Sequence, residues 1–220
     1  RRGAARGSDR IRPSPTAGQD GRAGVALRGR LGLRGLVGGE LGLNLAPAKN
    51  LTARVTLFDN RVKNPVSNVT LTPNLVQKQN LGKTRIRGVQ TDVEYRITPE
   101  LRVAGAYLYN EAKVTDGGGA NEDLVGLFLA QVPEHRGSVQ VSWADARFAT
   151  VAVSVQFQGR QFNDDRNINF IPPETLTEAG YDADFGVGLP GFTSVDVSAS
   201  RSLGRSLEIF VGAQNLFDTA

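Results

Sequence analysis

Apolar and polar side chains alternate residue by residue along most of the chain from about residue 39 onward. Val151, Val153 and Val155, for example, are separated by Ala152 and Ser154. A period of two residues is typical of a β-strand whose two faces meet different surroundings. Segments with this pattern lie at 40–45, 51–58, 88–95, 101–110, 136–143, 148–157, 192–201 and 206–215. No segment of similar length has a 3.6-residue period, so the sequence predicts an all-β fold of about eight strands and no helix.

The connections between these segments alternate strictly between short and long. Short turns occupy 46–50, 97–100, 144–147 and 202–205, whereas long connections occupy 61–82, 115–134 and 163–191. In an antiparallel up-and-down meander, every second connection emerges at the same end of the sheet. Short turns at one end and long loops at the other are typical of bacterial outer-membrane barrels. We therefore expect an incomplete segment of a transmembrane β-barrel, with a soluble sandwich as the alternative.

Aromatic residues lie at both ends of the apolar face. Tyr95 and Trp143 precede short turns, and Tyr107, Tyr109 and Phe157 lie at the far ends of their strands. Aromatic residues at both membrane–water boundaries are characteristic of a transmembrane barrel, although ordinary aromatic packing in a sheet is the alternative. We expect lipid to contact the apolar face, with Tyr95, Trp143, Val153, Val195, Val197, Ile209 and Val211 among its residues.

Residues 1–36 differ in composition from residues 37–220. The first segment contains nine arginines against two aspartates, a balance of +7, whereas the remainder contains 17 basic and 20 acidic residues, a balance of −3. The segment is rich in Arg, Gly and Ala, and we expect it to be disordered, or to be an aberrant sequence from a misread frame. The alternative is a basic arm that binds nucleic acid or anionic lipid.

The residue inventory excludes most enzyme chemistry. The chain has no cysteine and a single histidine, His135, so thiolate sites and multi-histidine metal sites cannot form. No Gly-x-Ser-x-Gly motif accompanies that histidine. We expect neither catalysis nor a cofactor nor a bound metal, and we expect His135 to cap a strand at the membrane interface rather than act as a base.

Several short motifs, in their order and spacing, resemble those of TonB-dependent receptors. Residues 80–90 resemble that family's Asn-x-Gly-x5-Gly strand motif, with Gln90 in a position that is usually acidic, and residues 95–101 resemble its periplasmic turn. Residues 132–136 resemble the Val-Pro-x-His motif that leads into a strand after an outer loop, and residues 157–162 resemble a Tyr-x-Gly segment. The run 215–218 resembles the Asn-Leu-Phe-Asp motif before the final strand. The residues that carry these motifs are Asn80, Gly82, Gly88, Pro133, His135, Asn215, Leu216, Phe217 and Asp218.

This resemblance, which covers about residues 39–220, implies a function and a cellular location. It implies a receptor of the Gram-negative outer membrane that imports a scarce nutrient such as an iron–siderophore complex, with energy from a TonB-type complex. It also implies a parent barrel of about 22 strands with a plugged lumen. The partners are then outer-membrane lipid, an extracellular chelate and the TonB-type complex, and not nucleic acid. A passive porin and a surface or secreted adhesion protein are the alternatives.

The resemblance also suggests that the chain is the C-terminal part of the barrel. We find no segment that resembles the plug domain, the TonB-contact region or the last strand. Eight strands of a larger barrel would have open edges at 40–45 and 206–215, where backbone groups lack partners. We therefore expect the isolated chain not to transport a ligand.

Charged residues in the longest connection, and one arginine just before it, are the candidates for ligand binding. Carboxylates in such a loop are potential calcium ligands, and arginines there are suited to an anionic siderophore. The alternative is a solvated surface loop without a ligand. The candidate residues are Arg160, Asp164, Asp165, Arg166, Asp182 and Asp184.

Overall fold

A computed structural model describes residues 24–33, 35–72, 75–167, 189–204 and 206–218 of the chain. Almost all of its regular structure is β-strand, as the alternating pattern predicts. The only helical element among these residues is one 3-10 turn, Glu122–Leu124, in a connection where no helix was predicted. Within those ranges no helix is long and apolar enough to cross a membrane.

Among the described residues, eleven strands form two antiparallel sheets. The large sheet has nine strands in the order β1-β2-β3-β6-β7-β8-β9-β10-β11, and the small one is the hairpin of β4 and β5. The bounds are β1 Gly24–Leu33, β2 Leu36–Ala48, β3 Leu51–Lys63, β4 Val66–Thr72, β5 Leu75–Asn80, β6 Lys83–Arg96, β7 Leu101–Asp116, β8 His135–Asp145, β9 Ala149–Gln158, β10 Phe192–Leu203 and β11 Leu207–Ala213. Every pairing in the large sheet is antiparallel, so this sheet is the predicted meander.

Strand register places the apolar residues of neighbouring strands side by side on one face. One row across the sheet reads Leu51, Tyr95, Val103, Val141, Val153, Val197 and Ala213. Because side chains alternate between faces, this register gives the sheet a continuous apolar face and an opposite polar face. Tyr95, Trp143, Val153, Ile209 and Val211 on the apolar face are exposed in the isolated chain. A face without protein packing is what contact with lipid requires.

An aromatic cluster marks the end of the apolar face nearest the long connections, which we call the loop end of the sheet. The Tyr107 hydroxyl lies 2.8 Å from Nδ1 of His135, and the Tyr109 ring lies 5.3 Å from the His135 ring. Phe157 packs over Gly137, where a Cβ would collide with its ring. Trp143 lies at the opposite, turn end. The structure thus has aromatic residues at both ends of the apolar face, and His135 lies on it at the loop end.

The structure corrects three expectations about the strands. The prediction of disorder for residues 1–36 is wrong for 24–33, because β1 pairs with β2 along most of its length; residues 1–23 lie outside the described residues. The predicted open edge at 40–45 is therefore also wrong, since the large sheet begins at β1. The connection predicted at 61–82 contains the β4–β5 hairpin. The edge at β11 was predicted correctly, and among the described residues β1 and β11 are not paired with each other.

Several strands continue beyond the predicted ends toward the loop end. β3 continues to Lys63, β6 begins at Lys83 and β7 continues to Asp116. In these extensions the apolar face carries charged residues, among them Asp59, Arg87 and Glu111. On the opposite face the connections bury side chains such as Val114, so the two faces exchange polarity here, and the predicted pattern ended before the strands did.

We predict that lipid contacts only the apolar face of the sheet. Spin labels at Val139 and Val153 in the reconstituted full-length protein should collide with a lipid-soluble relaxation agent. Labels at the adjacent Gln140 and Ser154, which face the opposite side, should collide with a water-soluble agent instead. Equal lipid accessibility of the two pairs in electron paramagnetic resonance would contradict the transmembrane assignment.

A second prediction concerns Gly88 on β6. A Cβ there would collide with the carbonyl oxygen of Tyr109 and lie 2.8 Å from the Phe58 ring, whereas a Cβ at Gly105 on β7 has 3.7 Å to its nearest neighbour. Gly88→Ala should therefore lower the free energy of unfolding by about 1–3 kcal/mol, and Gly105→Ala by less than about 0.5 kcal/mol. Urea unfolding of the full-length protein in micelles measures both. Equal stability of the two variants would show that Gly88 is not a close-contact position.

Candidate ligand-binding surface

A row of mostly polar side chains, with one leucine and one phenylalanine, crosses the polar face toward the loop end. It consists of Gln90, Leu108, Arg136, Gln158 and Phe192, which lie side by side on five consecutive strands. These residues line a shallow groove of about 450 Å³. No carboxylate of the described residues lies within ion-pair distance of Arg136, whose side chain is exposed. The groove therefore offers a positive charge and several amides to a solute.

Toward the turn end, the polar face carries side chains that pair with one another. Arg102 and Glu94 form an ion pair of 2.7 Å, and Arg54 donates a hydrogen bond of 2.8 Å to Asn44. Since these pairs span adjacent strands, they stabilise the register. Such a surface is compatible with a wet or protein-filled lumen and would be costly in a dry core.

Two connections, between β3 and β6 and between β7 and β8, pack together at the loop end and form a small hydrophobic core with β7. Val69 of β4, Leu81, Val114 of β7 and Leu124 are at most 4% exposed. Val114 lies on the same face of β7 as Leu108, so this core covers the polar face beyond the groove. Burial of four aliphatic side chains stabilises the folded connections, and these connections form an ordered loop cluster above the groove.

Asp165 joins the β4–β5 hairpin to the segment that follows β9. Its carboxylate accepts a hydrogen bond of 3.0 Å from the Thr70 amide and one of 2.6 Å from the Thr70 hydroxyl. Asp165 and Thr70 are both buried, at 9% and 4% exposure. A buried carboxylate with two such donors is satisfied by protein, and its removal would leave both donors without a partner.

Neighbouring residues add further links within the loop cluster. Arg166 donates to the Thr70 carbonyl and to Asp123, each at 3.0 Å. The Asn167 amide donates to the Phe128 carbonyl at 3.0 Å and accepts from the Phe128 amide at 2.7 Å. These bonds link the segment after β9 to both other connections, so the three connections are linked to one another.

Asp116 anchors the start of the connection between β7 and β8. Lys83 donates to its carboxylate at 2.6 Å, and the Gly118 amide donates at 2.9 Å. The Lys83 hydrogen bond, with help from Gly118, holds the pKa of Asp116 below its usual value. Gly82 is required beside this turn, because a Cβ there would lie 2.7 Å from the Gly118 nitrogen.

The candidate ligand residues have different surroundings. Asp165 and Arg166 bind other connections of the chain, and Asp164 accepts a hydrogen bond of 2.8 Å from the Arg166 amide. Arg160 is exposed beyond β9, whereas Asp182 and Asp184 lie outside the described residues. No group of three potential metal ligands occurs in the part of the chain that the structure describes. Ligand contact by these six residues stays a prediction.

The residues of the C-terminal motif occupy a tight turn after β11. The Asn215 amide donates to Asp196 at 2.9 Å, and the Leu216 amide donates to the Val195 carbonyl at 2.8 Å. Asn215 and Asp218 have positive φ values of 49° and 50°, which Asn and Asp adopt more readily than most residues. The motif thus fixes the turn against β10, and Leu216 and Phe217 remain exposed.

The sequence did not single out Arg136, Gln158 and Gln90 as candidate site residues. Arg136 and Gln90 were single polar positions in predicted strands, and Gln158 lay one residue beyond a predicted strand; only the register shows that they share a row. The sequence contained one indication: Arg136 is the last residue of the motif segment 132–136 and the first polar-face residue of β8. Arginine at the loop end of a polar face would have been a reasonable candidate on that basis.

A family model described as "TonB dependent receptor-like, beta-barrel" matches residues 38–216. Among curated proteins, the metal-pseudopaline receptor CntO of Pseudomonas aeruginosa is 28% identical over 211 residues, which is 93% of this chain and 24% of that protein. The iron-regulated outer membrane virulence protein of Vibrio cholerae is 22% identical over 191 residues, or 81% of this chain and 26% of that protein. The chain thus spans about a quarter of the length of these relatives.

Solved structures show the same fold. The ferric citrate transporter FecA in its unliganded form matches 83% of this chain with a TM-score of 0.65 and 25% identity, over 26% of its own length. The ferric yersiniabactin uptake receptor FyuA of Yersinia pestis matches 89% with a TM-score of 0.60 and 16% identity, over 29% of its length. The match to CntO covers 93% of the chain and so reaches into the first 36 residues, where no resemblance was predicted.

We predict that the hydrogen bonds of Asp165 stabilise the loop cluster against local unfolding. Asp165→Ala leaves the two buried Thr70 donors unpaired, at a cost of about 1–3 kcal/mol, so amide exchange around Thr70 should accelerate by roughly tenfold or more. Asp123→Ala, which removes only an exposed ion pair to Arg166, should change exchange little. Hydrogen–deuterium exchange of the full-length protein compares the two. Identical protection of residues 66–80 in both variants would contradict a clamp at Asp165.

Proposed function

The chain belongs to the TonB-dependent receptor family, and we propose that the full barrel imports a metal chelate such as an iron–siderophore complex. Members of this family reside in the Gram-negative outer membrane and are transport receptors rather than enzymes. The proposal includes energy from a TonB-type complex, as membership of the family implies. The apolar face is then the lipid side, and the polar face lines the lumen. The passive porin and the adhesion protein are disfavoured by the family match.

The position of the groove is the observation that supports a ligand-binding surface. The groove around Arg136 lies on the same face as the core of the loop cluster, and on β7 Leu108 of the groove is six residues from Val114 of that core, toward the turn end. A solute that enters from the loop end would pass the cluster and then meet the groove. The order of these two features along the strands suits uptake from outside the cell.

The chemistry of the groove favours an anionic chelate. Arg136 supplies a guanidinium that forks toward carboxylate oxygens, and Gln158 supplies an amide donor directly beside it on β9. Metal complexes with carboxylate or hydroxamate groups expose such oxygens. Since Arg136 has no acidic partner among the described residues, its charge is available to a ligand.

The experiment measures uptake by cells that express the full-length protein. Radiolabelled metal is presented as ferric citrate, ferrioxamine or metal–pseudopaline, the chelates that the names of relatives suggest. Uptake of at least one chelate that stops when the proton gradient is dissipated would support a TonB-driven receptor. Uptake that continues without the gradient would favour a passive porin. Cells that express only these 220 residues should not import any of them.

We predict that Arg136→Gln weakens binding of the imported chelate by roughly tenfold, because one charge-assisted hydrogen bond is lost. Arg147→Gln makes the same change of charge in the short turn after β8, away from the groove, and should leave affinity unchanged. Isothermal titration of the purified full-length protein measures both dissociation constants. Equal affinity of the two variants would remove Arg136 from the ligand site, even if transport itself is confirmed.

A further inference from the structure

We propose that the apolar face carries, at its loop end, a binding site for the phosphate groups of an outer-leaflet lipid. The site, called the basic patch below, consists of Arg61 and Lys63 on β3, Arg85 and Arg87 on β6, and Lys113 on β7. It lies on the face opposite to the groove at Arg136. The proposal depends on the outer-membrane location of the family and not on which ligand is imported.

Strand register brings these cations together. Arg61, Arg85 and Lys113 are direct cross-strand neighbours in one row, and Lys63 lies two residues beyond Arg61 on the same face. The adjacent row contains Asp59, Arg87 and Glu111. Like charges directly opposite on neighbouring strands destabilise a sheet, so a row of three cations needs a compensating source of negative charge.

The protein supplies only part of that compensation. Asp59 accepts two hydrogen bonds from Arg85, at 2.9 and 2.5 Å, and Glu111 pairs with Arg87 at 2.6 Å and with Lys113 at 2.9 Å. These two carboxylates therefore hold three of the five cations. Arg61 and Lys63 are exposed and have no carboxylate within ion-pair distance among the described residues. The basic patch together with its two acids keeps a charge of +3.

The height of the basic patch matches the headgroup region. Ten residues separate Arg61 from Leu51 at the turn end of β3. At ~3.3 Å per residue and a tilt near ~45°, this separation is roughly 23 Å along the membrane normal, close to the ~25 Å height of the apolar band. The apolar row Leu57, Val89, Tyr109 lies immediately below the two charged rows. Acyl chains on the apolar face would thus bring their headgroups to the basic patch.

The fixed geometry favours phosphate over diffuse counterions. The bidentate contact with Asp59 orients the Arg85 guanidinium, and Lys113 lies 4.4 Å from the centre of the Phe128 ring, which restricts its ammonium group. Cations that are already ordered lose less entropy when they bind a phosphate. Arginine is also well suited to phosphate because its N–H groups form a planar fork.

The test is a titration of the full-length protein, in a neutral detergent, with bis-phosphorylated lipid A, followed by native mass spectrometry. Arg61→Gln together with Lys63→Gln removes the two cations that have no acidic partner and leaves the ion pairs of Asp59 and Glu111 intact. We expect lipid affinity to fall roughly ten- to thirtyfold. Lys49→Gln with Arg96→Gln removes two charges at the turn end and should change affinity by less than about twofold.

Two further measurements show whether the bound phosphate belongs to the lipid or is free inorganic phosphate. Dephosphorylated lipid A should bind the wild-type protein as weakly as lipid A binds the Arg61/Lys63 variant, and millimolar inorganic phosphate should not displace bound lipid. Equal binding of the dephosphorylated lipid, displacement by free phosphate, or equal affinity of the two double variants would each overturn the proposal. If the double variant does not fold, the two single Gln substitutions replace it, and unchanged affinity in both would equally overturn it.

A measurement of chelate uptake distinguishes failure of the lipid-binding proposal from failure of the proposed import function. The Arg61/Lys63 variant should import the chelate as well as wild type when it is inserted at equal levels, because the basic patch lies outside the lumen. A receptor that imports nothing could still bind lipid A at this patch, and a failed lipid titration would leave import unaffected.

Discussion

Backbone hydrogen bonding in a solvent that offers no partners is the constraint on which the whole structure depends. In hydrocarbon each unpaired N–H or C=O group costs several kcal/mol, so consecutive strands must pair along their full length. The pairings here run without interruption from Lys63 and Lys83 at one end of β3 and β6 to Leu51 and Tyr95 at the other. Continuous pairing then fixes the register, and the register places each side chain on the lipid or the lumen side.

That constraint also explains which strands and strand ends could be predicted from the sequence. Where one face meets lipid and the other water, alternation is enforced, and all eight strands predicted from it are present. Where the connections cover the polar face, as at Val114, the two faces exchange polarity, and the strand ends could not be placed from the sequence. β1 was missed for a different reason. Residues 25, 27, 31 and 33 are apolar and alternate with small or basic residues, but the Arg- and Gly-rich composition of residues 1–36 favoured disorder.

The candidate site was less predictable because it is assembled from distant parts of the chain. Asp165 was identified as a charged loop residue, but its partner Thr70 lies 95 positions away, and no local pattern indicates that pairing. Arg136 and Gln158 become neighbours only through the pairing of β8 with β9. The sequence could therefore identify charged loop residues as candidates. Only the tertiary structure shows whether such a residue, like Asp165, bonds to another part of the chain or is available to a ligand.

The in-register pairing has a consequence for how such a sequence can change in length. One residue inserted into β7 would shift every later side chain of that strand to the other face, so lumen residues would enter lipid and apolar ones would enter water. Insertions in the connections carry no such penalty, since their ends meet the sheet at fixed positions. Length variation among natural homologues is therefore expected to concentrate in the connections at the loop end. The sequence can then diverge there by exchange of segments while the wall of the barrel stays constant.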